Sequence, residues 1–304
     1  MSNPTFSERL VAAIRKKKNA VCVGLDPRMQ QLPAILRQQR ATVGTTRAVL
    51  YRKFCFEVID AVAHLVPIIK PQAAFFEQLG PQGMVSLFEV IKYAQEKGLL
   101  VLMDAKRGDI GSTAEAYATG YLASKGGGWG VDAITINPYL GDDTMAPFLD
   151  QCDQVGGATF VLVKTSNPGS GFLQDIQVDG RTISEIVADW VETQSAKRPK
   201  CEGYGPVGAV VGATYPEELL AMRKRMPSSW ILIPGYGAQG GSASDVAGGF
   251  DDQGLGAIVN SSRGIIFAYE TKKFGNLDSW QQAVEAATKE MIQALRENTT
   301  QGKL

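Results

Sequence analysis

Residues 100–109 read LVLMDAKRGD, an apolar run that ends in Asp104 and Lys106 with Asp109 just beyond. Side chains two apart on a strand share a side, so Asp104 and Lys106 should face one way, with Met103 and Ala105 turned to the other. Lys70 lies at the end of another apolar run, Ile68, Ile69, Lys70, and supplies a second ammonium. Acids and amines alternating in one place can stabilise developing negative charge and deliver a proton. The competing reading is an ion-pair network without a chemical task, since buried charges must be paired.

Further polar residues close other apolar runs. Asp26 ends VCVGLD, Asn137 follows AITI, and Lys164 and Ser166 end TFVLVKTS. The glycine-rich segment PGYGAQGG, residues 234–241, includes Pro234, Gln239 and Gly240. It leads into Ser242, Ala243, Ser244 and Asp245, read here as the opening of a helix. NSSRG, residues 260–264, carries Arg263. Backbone amides at a glycine-rich helix start, together with an arginine, form an anion site, and parallel barrels often bind phosphate there.

What must hold these residues is a set of eight β-rich runs, starting at Val21, Ile68, Leu100, Ala133, Thr159, Val207, Trp230 and Ala257. Their starts are 47, 32, 33, 26, 48, 23 and 27 residues apart, mostly room for one strand, one helix and two short loops. Between them lie helical stripes such as Met84, Leu87, Phe88 and Ile91, and at the end Trp280, Val284, Ala287, Met291 and Leu295. Strands apolar on both faces, each followed by a helix, predict a closed (β/α)8 TIM barrel spanning 1–304 as a single domain. An open doubly wound sheet is the competitor, but no G-x-G-x-x-G follows the first run. A helix over 5–18 opens with a Thr5/Glu8 capping box. The two long intervals place insertions at 27–46 and 173–206, the second with a helical stretch over 183–191.

Composition narrows the chemistry. The 304 residues hold 31 Lys plus Arg and 31 Asp plus Glu, a net charge of zero, which gives no field for nucleic acid or an anionic membrane. The 33 glycines gather in short loops where backbone can approach a small ligand. The only histidine, His64, follows the apolar helical residues Val58, Ile59 and Val62 and reads as structural, which leaves little for Ser-His-Asp or His-rich metal chemistry. Cys22, Cys55, Cys152 and Cys201 are scattered, so neither a zinc cluster nor a disulfide framework is expected, and a reducing cytoplasm fits. Neither a signal peptide nor a membrane-spanning run is recognisable.

In combination these motifs carry a family resemblance. DAKRGD resembles the D-x-K-x-x-D motif of the orotidine 5′-phosphate decarboxylases, and VGLDP, KPQ, TSNPGS, PGYGAQGG and NSSRG resemble the longer bacterial branch of that family, in order along the chain. The resemblance implies cofactor-free decarboxylation of orotidine 5′-phosphate to uridine 5′-phosphate, with Lys70, Asp104, Lys106 and Asp109 as the catalytic array and Lys106 as proton donor. It also implies that Asp26 bonds the ribose and Ser166 the pyrimidine, while Gln239 and Arg263 grip the phosphate near Gly240. Asn137 and Pro234 are further expected substrate contacts. Thr113 and Asp109 would reach a partner's site in a homodimer with shared active sites.

Two rivals share the fold. Lys164 on its strand is somewhat like the Schiff-base lysine of sugar-phosphate aldolases, although a rim position with a packed stem is the plainer reading. A catalytically silent phosphosugar-binding protein is the other, and the intact Lys106 argues against it.

Overall fold

The computed structural model describes residues 4–123, 128–213, 216–237 and 240–304, apart from the side chains of 41–43. All eight apolar runs are parallel strands, and they close into a barrel. In chain order the strands are β1 Val21–Leu25, β2 Ile68–Pro71, β3 Leu100–Arg107, β4 Ala133–Ile136 and β5 Ala158–Lys164, then β6 Gln177–Val178 and β7 Arg181–Thr182, then β8 Gly205–Val211, β9 Ser229–Ile233 and β10 Ala257–Ser261. The two-residue strands β6 and β7 form a separate hairpin. β10 returns to β1, with Val21 opposite Val259 and Cys22 opposite Asn260. A closed barrel has no free edge, and its strands are covered on both faces; β1, β2, β4, β8, β9 and β10 are buried throughout.

The helices are α1 Phe6–Lys17, α2 Ala34–Val43, α3 Arg47–Val62, α4 Ala73–Glu77, α5 Gly80–Glu96, α6 Gly111–Leu122, α7 Ala146–Val155, α8 Gly171–Gln174, α9 Ile183–Ala196, α10 Pro216–Arg225, α11 Arg263–Ile266 and α12 Trp280–Asn298. α1 opens with the expected capping box, Thr5 and Glu8 each accepting from the other's backbone N–H. It lies against the strand starts: Ser7 Oγ donates to the Gly205 carbonyl and accepts from Trp230 Nε1, and Phe6 meets Phe160 edge to face. After β1 the chain forms α2 ahead of α3. After β5 it forms α8, the β6–β7 hairpin and α9, which extends the expected helical stretch to Ala196.

Two local expectations need correction. On α5 the buried line is Gly83, Leu87, Val90, Ile91 and Ala94, whereas Phe88 is 40% exposed and meets Trp129 edge to face, with the Lys92 ammonium near its ring. No α-helix opens at Ser242. Ser242 and Asp245 make reciprocal side-chain to backbone bonds, but only a 3-10 turn, Ala247–Gly249, follows, because Gly248 and Gly249 favour no helix and Phe250 is already extended. His64 lies exposed just beyond α3, 3.4 Å from Glu285.

Candidate active site

A cavity of 320 Å³ opens at the C-terminal ends of the barrel strands, where this fold places its chemistry. Asp26 reaches it from the end of β1, Lys70 and Gln72 from β2, Asp104 and Lys106 from β3, and Thr135 from β4. Thr165, Ser166 and Asn167 follow β5, Pro234, Gly235 and Tyr236 follow β9, and Asn260, Ser262 and Arg263 complete the wall from β10.

Asp104 is the hub of the charged half. Lys70 Nζ donates to its Oδ2 at 2.6 Å, Lys106 Nζ to its Oδ1 at 2.5 Å, and Thr135 Oγ1 to the same Oδ1 at 3.1 Å. Burial alone would raise the Asp104 pKa, but the charges and hydrogen bonds of the two lysines outweigh it and hold the carboxyl well below the usual range. Burial would likewise lower Lys70, and the charges of Asp104 and Asp26 overturn that, leaving it above the ordinary lysine range. At neutral pH Lys70 is therefore an ammonium and Asp104 a carboxylate.

Asp104 and Lys106 converge as expected, yet not by regular strand alternation. The register against β4 slips between Met103, opposite Ile134, and Arg107, opposite Ile136, so β3 carries two extra residues in a bulge. Lys106 sits there with φ +49°, a left-handed conformation uncommon for any residue with a Cβ. The amides of Ala105 and Lys106 donate to Thr135 Oγ1 at 3.1 and 2.9 Å.

The opposite wall is built of orphaned acceptors and glycine turns. Asp26 Oδ1, Asn260 Oδ1 and Ser262 Oγ are buried without a hydrogen-bond partner among the described residues, which is how a wall awaiting ligand hydroxyls and amides looks. Gly24 lets β1 approach this wall, since a Cβ there would lie 2.7 Å from Ser262 Cβ. After β9 the chain folds on itself: Gly237 N donates to Gly241 O at 2.8 Å and Gly240 N to Gly237 O at 2.9 Å, with positive φ at Gly235, Gly237 and Gly240. The Gly240 amide is thus used by the turn. Arg263 stands exposed on the cavity rim and makes no ion pair among the described residues.

Of the expected site residues, the cavity gathers Asp26, Lys70, Asp104, Lys106, Ser166, Pro234 and Arg263. Gln239 lies outside the described residues. Asn137 is not in this wall: its Oδ1 accepts from the Tyr139 amide, and it borders a neighbouring cavity with Leu173 and Val187. Asp109 and Thr113 also stay outside, Asp109 bonded to the Ile110 amide and Thr113 exposed on α6. Lys164 is buried and paired with Asp175, with Glu218 at 3.5 Å. Burial would lower its pKa, but these carboxylates raise it above the ordinary value, the reverse of what a Schiff-base nucleophile needs. Sequence reasoning missed Gln72, Thr135, Tyr236, Asn260 and Ser262. Gln72, Tyr236, Asn260 and Ser262 lie inside the quoted motifs, and Thr135 is the one polar residue of its run.

Among the described residues no group of three His, Cys, Asp or Glu side chains is placed to hold a metal ion, and no helix is long and apolar enough to cross a membrane. Residues 19–274 match the family described as Orotidine 5′-phosphate decarboxylase / HUMPS family. A protein of Rhodopirellula baltica named orotidine 5′-phosphate decarboxylase is 54% identical over 302 residues, covering 96% of this chain and 99% of that one. Its namesake in Caldicellulosiruptor bescii is 37% identical over 300 residues, with 95% and 98% covered. The solved OMP decarboxylase of Leishmania donovani matches with a TM-score of 0.76 at 32% identity, covering 97% of this chain and 98% of that one. With this barrel, this charged array and these relatives, the chain belongs to the orotidine 5′-phosphate decarboxylase family.

Proposed function

We propose that the chain converts orotidine 5′-phosphate to uridine 5′-phosphate and CO₂, a step of pyrimidine biosynthesis, with Lys106 as the proton donor. The observation that carries this reading is the Lys70–Asp104–Lys106 array at the barrel mouth of a chain 54% identical to a protein bearing that name. Breaking the ring carbon to carboxylate bond leaves an electron pair on that carbon. Fixed ammonium groups stabilise the developing charge, and Lys106 Nζ passes a proton to the carbon, to be reprotonated afterwards from solvent. Asp104 positions both lysines, and its own charge stands beside the departing carboxylate.

The rest of the cavity supplies orientation. Asp26 Oδ1 takes a ribose hydroxyl, Ser166 faces the pyrimidine, and Arg263 grips the phosphate with Gln239. Binding energy from the remote phosphate can be used to orient the reacting ring. The Asn137 side chain is committed to its own turn and needs no place in this scheme. Asp109 and Thr113 are assigned to a neighbouring subunit's site in a homodimer. A cytoplasmic setting agrees with four unpaired cysteines, Cys22, Cys55 and Cys152 of them buried.

The test mixes chelator-treated protein with orotidine 5′-phosphate and follows loss of substrate absorbance. Turnover should be the same with and without EDTA. Activity that disappears in EDTA and returns with a divalent metal would sink the mechanism.

A further inference from the structure

We propose that Thr135 is the positioning residue of the proton donor, its hydroxyl shaping the bulge that turns Lys106 into the cavity and fixing Asp104 beside it. This rests on the reading of Lys106 as the donor. A threonine hydroxyl has one proton to give and two lone pairs, and here all three are used. The proton goes to Asp104 Oδ1 at 3.1 Å, and the lone pairs accept from Ala105 N at 3.1 Å and Lys106 N at 2.9 Å.

Those two amides lie where β3 leaves its register with β4, so the β3–β4 ladder does not hold them. The left-handed backbone of Lys106 is costly and persists only where its surroundings impose it. Thr135, buried in the next strand, is the group that imposes it. One oxygen therefore sets the backbone from which the Lys106 side chain departs and the carboxylate that receives its ammonium. Valine fills nearly the same space but leaves two amides without an acceptor and Asp104 without one donor. Its expected effect is displacement of a catalytic group, and an error of about 1 Å in such a group can cost roughly a hundredfold in rate.

The experiment compares wild type, Thr135→Val, Thr135→Ser and Lys106→Ala for kcat, KM, uridine 5′-phosphate affinity and melting temperature. Thr135→Val should lose about a hundredfold in kcat while product affinity stays within about threefold, and Thr135→Ser should recover to within about fivefold of wild type. A folded Thr135→Val with kcat within threefold of wild type, beside a dead Lys106→Ala, overturns the role of Thr135 alone. A Lys106→Ala enzyme near wild-type kcat overturns the donor assignment and this proposal with it. A folded Thr135→Ser as slow as Thr135→Val assigns the effect to lost packing and also overturns the proposal. Should Thr135→Val not fold, Thr135→Ser and Thr135→Cys, which differ by one atom, are compared instead. A serine variant at least tenfold faster supports the hydroxyl's role, and equal rates overturn it.

Discussion

Lys70 and Lys106 touch the same carboxylate, yet they are suited to different work. The Lys70 side chain is 5% exposed and held charged by Asp104 and Asp26, so it is a fixed charge and a reluctant donor. The Lys106 side chain is 45% exposed at the cavity mouth and ends on a single carboxylate oxygen, which leaves it free to meet a reacting carbon. Arg263 lines the cavity from the end of β10 and makes no bond to the Lys70–Asp104–Lys106 array. Lys106→Ala should therefore abolish turnover while uridine 5′-phosphate still binds within a few-fold. Arg263→Ala should weaken phosphorylated ligands by roughly tenfold or more, the loss expected for a charge-assisted phosphate contact. Steady-state kinetics and product titration of both variants check the separation. If Lys106→Ala kept a near-normal kcat, Lys70 would be the next donor to try.

At the level of elements, legibility followed how local the cause was. A barrel strand buried on both faces is an unbroken apolar run bounded by loop residues, so all eight could be read from the chain, and the capping box of α1 likewise involves only Thr5 and Glu8. The Ser242/Asp245 signal was real as hydrogen bonding, but a helix also needs the apolar period that Gly248 and Gly249 interrupt. The bulge in β3 could not be read, because strand alternation assumes a regular ladder and this ladder is broken by a hydroxyl some 30 residues away, on β4. Lys164 shows the same limit, since its partners come from α10 and from the turn after α8. The loop after β5 has other ties: Gln174 accepts from the Thr165 amide and donates to Thr165 Oγ1, both at 2.9 Å. Lys164→Met exchanges a buried ion for an apolar chain of similar length and leaves Asp175 and Glu218, 51% and 44% exposed, to water, so it should keep kcat within about tenfold and shift stability by no more than about 1 kcal/mol. Kinetics and a melting curve test this, and a folded but dead Lys164→Met would restore the Schiff-base reading.

For the whole molecule, the open question is whether one chain suffices for a site. Asp109 and Thr113 lie outside the cavity of their own chain, at the head of α6, where the backbone leaves the barrel mouth. Ile110, next to Asp109, is 63% exposed, and on the loop after β4, whose Asn137 lies against Gly108, Tyr139 is 73% exposed. Exposed apolar groups gathered near a functional mouth mark a contact surface. In a two-fold dimer of the proposed kind, each site would draw Lys106 from one chain and Asp109 from the other. Lys106→Ala and Asp109→Ala are then each inactive alone, but a mixed dimer concentrates both lesions in one site and leaves the other intact. Random reassortment of equal amounts makes about half of the dimers mixed, with one good site in two, so roughly a quarter of wild-type activity should return. Chains that complete their own sites gain nothing from mixing. The measurement unfolds the two variants partially together, refolds them and assays the mixture, with native mass spectrometry to show that subunits have exchanged. Confirmed exchange with no more than the summed residual activities would refute the shared site and leave Asp109 with a role inside its own chain.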